Sequence, residues 1–331
     1  GAVRKPWECC MAGRIRPAVA DPANIRSTIL NRSVARTSMH IVTSPIPLLS
    51  IRDVGFNCLE ERNYVMRMET RGPERGICNI CGELAKLTED HIPPKGVPRV
   101  GQVYLSNLVE CLGAEKAGKG SRLFQNGVKY RSICRACNGD LLGASYDPHL
   151  ISFCRAVETA FRERLYLPQD FEVKQNRLFR SVIGHLLAHG VGLHRTGPFP
   201  SSKTDYFLDP KMSFPSHLRL YCWVYPYQRQ VVSRWMASIF DTRYSGESFI
   251  FSIAKFFPVA WLCSSAELPP YIQPGVVRVD SLATGDIDDT AVITLSPSSV
   301  PRPTWPEAPG DNGAVFLNRR GTVATPRRGN W

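Results

Sequence analysis

Apolar positions recur with helical spacing in two stretches of the chain. Ile151, Phe153, Cys154, Val157, Phe161 and Leu165 mark the first; Leu178, Val182, Ile183, Leu186 and Leu187 mark the second, over residues 176–190, with Gly190 and Gly192 as natural stops. Strand-like runs follow at 218–225, 230–235, 249–257, 260–263 and 291–295. Tyr221, Trp223, Tyr225, Tyr227 and Trp235, on or beside these runs, alternate as strand residues do. Their rings offer faces on which nucleic-acid bases stack, but a sheet core accounts for them more simply. Residues 1–70 show no sustained period and read as a poorly ordered leader, with Met66 and Met68 near the expected start of the functional protein. Residues 296–331, rich in Pro, Arg, Gly and Asn, read as a disordered basic tail. Between these ends, residues 71–150 form one expected module and residues 151–295 an α+β accessory domain of helices and a mostly antiparallel sheet.

Charge narrows the partners. Lys and Arg total 41 against 29 Asp and Glu, a formal charge of +12. A field of that sign attracts polyanions, nucleic acid above all. No stretch approaches the roughly 18–20 apolar residues of a membrane span, and the longest, 249–263, is broken by Lys255 and Pro258. No membrane partner is expected, and no secretory signal pattern is present, so a cytoplasmic location is the default.

Four of the eleven cysteines stand as two C-x-x-C pairs, Cys78–Cys81 and Cys134–Cys137. Each pair forms a tight knuckle that aims both sulfurs at one ion, and two knuckles close a tetrahedral zinc site. Such a site has no open position, so the zinc is expected to fold the module and not to catalyse. The separation of the pairs exceeds ordinary zinc-ribbon spacing, so further structure must be built between them.

That interval carries Leu87-Thr-Glu-Asp-His-Ile-Pro-Pro-Lys95, and Asn138 follows the last cysteine. Together these segments resemble the HNH (ββα-metal) endonucleases, whose zinc-knuckle members combine a first C-x-x-C, a Leu-Thr-x-Asp/Glu-His-x-Pro-Pro segment and a second C-x-x-C-Asn. The resemblance covers about residues 76–153. It implies a small zinc-stapled ββα-metal module followed by the helix-plus-antiparallel-sheet domain. It also implies a nuclease that hydrolyses phosphodiester bonds of DNA, or of RNA, and a place in bacterial restriction or phage defence, where such enzymes often serve. His91 is then the general base, and Asp90 and Asn138 hold a catalytic Mg2+ or Mn2+. Adjacent strand residues face opposite ways, so Asp90 and His91 share one site only if the strand ends or bulges there; Pro93 and Pro94 favour an end. Asn138 has a second reading as the cap of the following helix.

The family's middle Asn, which braces the base, falls here on Lys129, so that role is lost or moved to Asn107 or Asn126. Asp147 and His149 either approach the site from the helix or cap a turn. Lys95, Arg99, Lys116, Lys119, Arg122, Lys129, Arg131 and Arg135 make the module basic and are candidate phosphate contacts. The accessory domain is expected to recognise substrate or a protein partner. The main rival to the nuclease is a non-catalytic zinc module that binds nucleic acid or protein. A weaker one is a metalloprotease using His185 and His189, which lacks the Glu that would act as its base.

Overall fold

The computed structural model describes residues 69–98, 101–108, 111, 122–125, 127–164, 166–197, 199–239, 248–268, 275–307, 314–317 and 321–327. All belong to the second of two units, Gly1–Arg62 and Asn63–Trp331. The expected leader therefore lies outside the described residues except for 69 and 70. So do Arg99, Lys116, Lys119 and Asn126.

The first elements are strands β1 (Arg75–Ile77) and β2 (Leu84–Ile92), followed by β3 (Val103–Asn107), β4 (Arg122–Phe124) and β5 (Val128–Cys134). A helical segment of π type, α1 (Ala136–Tyr146), runs directly into α2 (Asp147–Arg162). Then come β6 (Gln169–Val173), α3 (Gln175–Ala188) and α4 (Pro200–Leu208). The remaining strands are β7 (Arg219–Val224), β8 (Gln230–Ile239), β9 (Ser248–Phe256), β10 (Val259–Ser264), β11 (Val277–Arg278), β12 (Ala291–Leu295), β13 (Ala314–Leu317) and β14 (Thr322–Pro326). The protein is thus mixed helix and sheet. Every pairing of named strands is antiparallel, as short hairpin connections favour.

Three sheets form. A small one runs β1-β2-β5, a ribbon pairs β12 with β6, and a large one runs β11-β7-β10-β9-β8-β14-β3-β4, with β13 also on β8. Helix α3 explains the main core. Its apolar stripe is buried, with Leu178, Phe179, Val182, Ile183, Leu186 and Leu187 all within 1% of full burial. Gly184 permits this closeness: a Cβ there would stand 2.4 Å from the Phe207 ring and 2.6 Å from Leu142. Trp261 of β10 meets the rings of Phe153 and Phe179. On the other side of the large sheet Tyr221, Trp223 and Tyr225 are buried in a second cluster, so these aromatics are sheet core.

Two boundaries differ from those expected. The junction at 150/151 falls inside α2, and β3, from the interval between the knuckles, joins the large sheet through β14. Residues 296–331, read above as a disordered tail, carry β13 and β14 and the buried Trp305 and Glu307. The reason lies in partners from elsewhere in the chain. Val323 and Ala324 alternate into the sheet, and Glu307 meets a buried cation that needs it. Lys255 Nζ lies 2.5 and 2.6 Å from the Glu307 carboxylate oxygens and 2.9 Å from the Trp305 carbonyl, with both side chains fully buried. Burial lowers the Lys255 pKa to about 8 and Glu307 opposes the fall, so the ammonium persists at neutral pH. Removing one partner of such a pair strands the other charge, at about 3–5 kcal/mol. Glu307→Gln is therefore expected to lower the unfolding free energy by that amount, measured by urea titration, and Lys255→Met with Glu307→Leu should recover most of the loss. A Glu307→Gln midpoint equal to wild type would show that the tail is not anchored there.

Candidate active site beside a four-cysteine metal centre

The knuckles meet as their spacing requires. Cys78 follows β1, Cys134 ends β5 and Cys137 opens α1. All four sulfurs lie within 4.8 Å of one another. Four sulfurs about 2.3 Å from a tetrahedral ion are ~3.8 Å apart. The Cys81 and Cys134 sulfurs are separated by 3.7 Å. The donor set and its dimensions thus fit zinc, and among the described residues it is the only His/Cys/Asp/Glu cluster that could hold a metal. The first knuckle closes through Gly82 N–H to the Cys78 carbonyl at 3.1 Å. Gly82 has φ +80°, and a Cβ there would come within 2.6 Å of His194, so glycine is required on both counts. A hydrogen bond from Cys137 lowers the Cys78 thiol to about 4, while burial pushes Cys81 up to about 11.

Between its cysteines the first knuckle carries a buried polar residue that ties it to the rest of the molecule. Asn79 Nδ2 donates to the Gly190 carbonyl at 2.9 Å, and its Oδ1 accepts from Leu193 N–H at 2.8 Å. Ser132 does the same from β5. It is the extra residue of a bulge opposite Thr88 and Glu89, its Oγ donates to the Ala188 carbonyl, and its own carbonyl accepts from Asn79 N–H. Neither residue was singled out by sequence; only the polar Asn inside an otherwise tight C-x-x-C hinted at such a role.

The bulge decides where the next side chains go. It sits before Glu89, and β2 then runs regularly to Ile92, ending at the prolines as expected. Adjacent residues 90 and 91 consequently face opposite sides of the strand. Asp90 turns inward to α3. Its Oδ2 lies 3.0 Å from His185 Nδ1, while His185 Nε2 lies 3.0 Å from Asp147 Oδ1. Ser181 Oγ donates to the same Asp147 oxygen at 2.7 Å. His185 is thus held between two carboxylates, in a buried chain that links β2, α3 and the start of α2. Burial alone would lower the His185 pKa, but Asp90 and Asp147 outweigh it and raise it to about 10. Burial raises the Asp90 pKa, and His185 opposes that rise.

His91 stands on the other face, half buried, opposite Lys129 of β5. Its Nε2 is shielded from solvent and has no hydrogen-bond partner among the described residues. Burial lowers its pKa to about 4, helped by Lys95 and Lys129. The ring is therefore neutral at pH 7 and able to accept a proton. A shielded ring nitrogen without a partner is uncommon, and a bound water, ion or substrate is a usual explanation.

Asn138 reaches β2 from the start of α1. Its Nδ2 donates to Thr88 Oγ1 at 2.9 Å and to the Glu89 carbonyl at 3.1 Å. Thr88 Oγ1 in turn donates to the Ile133 carbonyl, so both Asn138 partners act as acceptors and the amide orientation is fixed. Asn138 thereby braces the strand that carries His91, the task for which sequence offered Asn107 or Asn126. It is not a side-chain helix cap. Asn107 is buried where β3 meets Thr322 of β14.

The residues expected around a catalytic Mg2+ or Mn2+ do not form a hard-cation site as they stand. The Asp90 carboxylate is engaged by His185 and by the His91 backbone N–H, and Asn138 turns its amide nitrogen to β2. His149 has Lys174 and Arg177, at the start of α3, and Asp288 as its charged neighbours. His185 and His189 do not act as a ligand pair, because His185 is committed to its carboxylates and the His189 ring packs on Tyr130 and approaches Thr322. No helix among the described residues is long and apolar enough to cross a membrane. Set against known proteins, the chain matches no family model, no curated protein and no solved structure, so any assignment must rest on its own side chains.

Proposed function

We propose that the chain is an endonuclease of the HNH kind, in which His91 activates the water that attacks a phosphodiester. One observation carries the reading: a neutral imidazole with an unpartnered, shielded Nε2, set between Lys95 and Lys129 on a strand braced by Asn138 beside a four-cysteine metal centre. A general base must be unprotonated at working pH to take a proton from water, and the two lysines supply the positive field that draws the substrate and opposes protonation. His91 takes the proton of the water. Lys95 and Lys129 hold non-bridging oxygens and offset the charge that develops on the phosphoryl group, while the P–O bond to the departing strand breaks and its oxygen takes a proton from solvent. Zinc fixes the two strands and the helix against one another and takes no part in the chemistry. Asp90 acts from the second face: its carboxylate accepts the His91 backbone N–H and so sets the position of the base.

A second reading, favoured by the engagement of Asp90 with His185, is a zinc module that binds nucleic acid or a protein partner without cutting. The two separate in one experiment. Zinc-loaded protein is incubated with supercoiled plasmid and with labelled RNA, adding Mg2+ or Mn2+ in parallel. Nicked or linear plasmid, or RNA fragments, are the expected products. Retention of either polymer on the protein without any cleavage, in every ion tested, would replace the nuclease by the binding module.

A further inference from the structure

Next to His91 the structure has a charged cleft to which nothing above assigns a function. It is open, with a volume of about 280 Å3, and is lined by Thr70, Arg71, Glu89, Arg122, Phe124 and Lys129, among others. Glu89 lies two residues before His91 on β2, and Lys129 pairs across from it on β5, so the cleft borders the face that presents the His91 ring. Three cations stand there against the one carboxylate of Glu89, and among the described residues none of the three is in an ion pair. The Arg122 guanidinium lies over the Phe124 ring, 5.3 Å from its centroid. Phe124 is itself packed against the small cluster of Ile92, Val103 and Val128, which gives this plate a firm base.

We propose that the cleft seats an unpaired nucleotide of a single-stranded nucleic acid. Arg71 and Lys129 hold the flanking phosphates, and the base stacks on the Arg122–Phe124 plate. Aromatic rings and guanidinium planes both serve as stacking surfaces for bases, and cations beside them track the backbone. The volume lies near the lower end of small-ligand pockets, about 300 Å3, which suits one nucleotide and no more. A duplex keeps its base faces stacked inside and has nothing to lay on this plate. As the strand to be cut at His91, the nucleotide rests on the nuclease reading; as a bound ligand it does not.

The test is fluorescence anisotropy with labelled single-stranded DNA and RNA, a duplex of the same sequence, and heparin as a plain polyanion. It uses the full chain as wild type and as His91→Ala. Both proteins are expected to bind single strands at least about tenfold more tightly than duplex, the scale of one stacked base. Arg71→Ala with Lys129→Ala should weaken binding and reduce the salt dependence by ~1.4 in log–log slope, two single-strand phosphate contacts. Phe124→Leu keeps the apolar packing but removes the ring face, and should erase the preference for single strands. Equal affinity for strand, duplex and heparin would overturn the proposal, as would a Phe124→Leu variant with its preference intact. Single-strand binding as described with no cleavage by wild type would leave the cleft standing and remove the nuclease. Cleavage by wild type with no effect of Arg71→Ala or Phe124→Leu on binding would do the reverse.

Discussion

Cys134→Ser is expected to release the metal and unfold the β1-β2-β5 unit. The sulfur it removes lies 3.7 Å from that of Cys81, and the Cys134 backbone N–H also donates to Cys78 Sγ at 3.3 Å. Structural zinc in small modules contributes about 10–16 kcal/mol at neutral pH, as much as the whole stability of an ordinary domain, ~5–15 kcal/mol. A site with three cysteines and a serine retains part of that at best. Metal analysis should show one zinc per wild-type chain and substoichiometric zinc in the variant. Hydrogen exchange should show loss of protection in β2 and β5, and through Asn79 and Ser132 the end of α3 should loosen too. Unchanged zinc content and an unchanged melting temperature would mean that the four sulfurs do not act as one site.

The second large effect is expected at His185. His185→Leu leaves Asp90 and Asp147 buried without their shared cation. Breaking a buried pair costs about 3–5 kcal/mol, and two carboxylates are stranded here, so a loss at the upper end of that range should appear in urea titrations. The same group predicts how stability depends on pH. His185 binds its proton more tightly in the folded chain, about 10 against an ordinary 6.5. The unfolded chain releases that proton above 6.5 and the folded chain keeps it. The stabilisation is therefore complete below pH 6.5 and is lost as pH rises toward 10, at up to ~1.4 kcal/mol per pH unit. Wild-type stability should decline through that window, and His185→Leu, weaker throughout, should decline less. Parallel curves for the two proteins would show that His185 is neutral in the folded state.

Much of the architecture could be read from residue patterns. The stripe from Leu178 to Leu187 gave α3 nearly to its ends, because one helix face packed against a sheet leaves a strong period. The runs around Trp223, Val231, Ile253 and Trp261 gave the central strands, since sheets buried on both faces are apolar throughout. The C-terminal strands escaped notice for the opposite reason. Thr322–Pro326 is short, is flanked by Gly and Arg, and gains its place only by pairing with β3 and β8, partners far away in sequence. Likewise β6 is a polar ribbon strand that only β12 explains.

At the site, the cysteine spacing sufficed to foresee a cluster of four sulfurs that could hold a metal, because each C-x-x-C fixes its own geometry. The surroundings of Asp90 could not be read in the same way. Whether residues 90 and 91 share a face depends on where the β2–β5 ladder bulges, and the bulge at Ser132 lies one pair too early to bring them together. The spacing of His185 and His189 points only to a weak metalloprotease alternative. The burial of His185 follows from Asp90 and Asp147 arriving from two other elements, which no local pattern reveals. Asn138, expected as a metal ligand, braces β2 because its neighbours Thr88 and the Glu89 carbonyl both accept.

Single-turnover cleavage by wild type and by His91→Ala, each zinc-loaded, decides whether His91 is the base of the proposed phosphodiester hydrolysis. General-base catalysis contributes about 10²–10⁴-fold, so the variant should cut at least a hundredfold more slowly with its zinc and melting temperature retained. Equal cleavage rates for the two proteins would contradict that role outright.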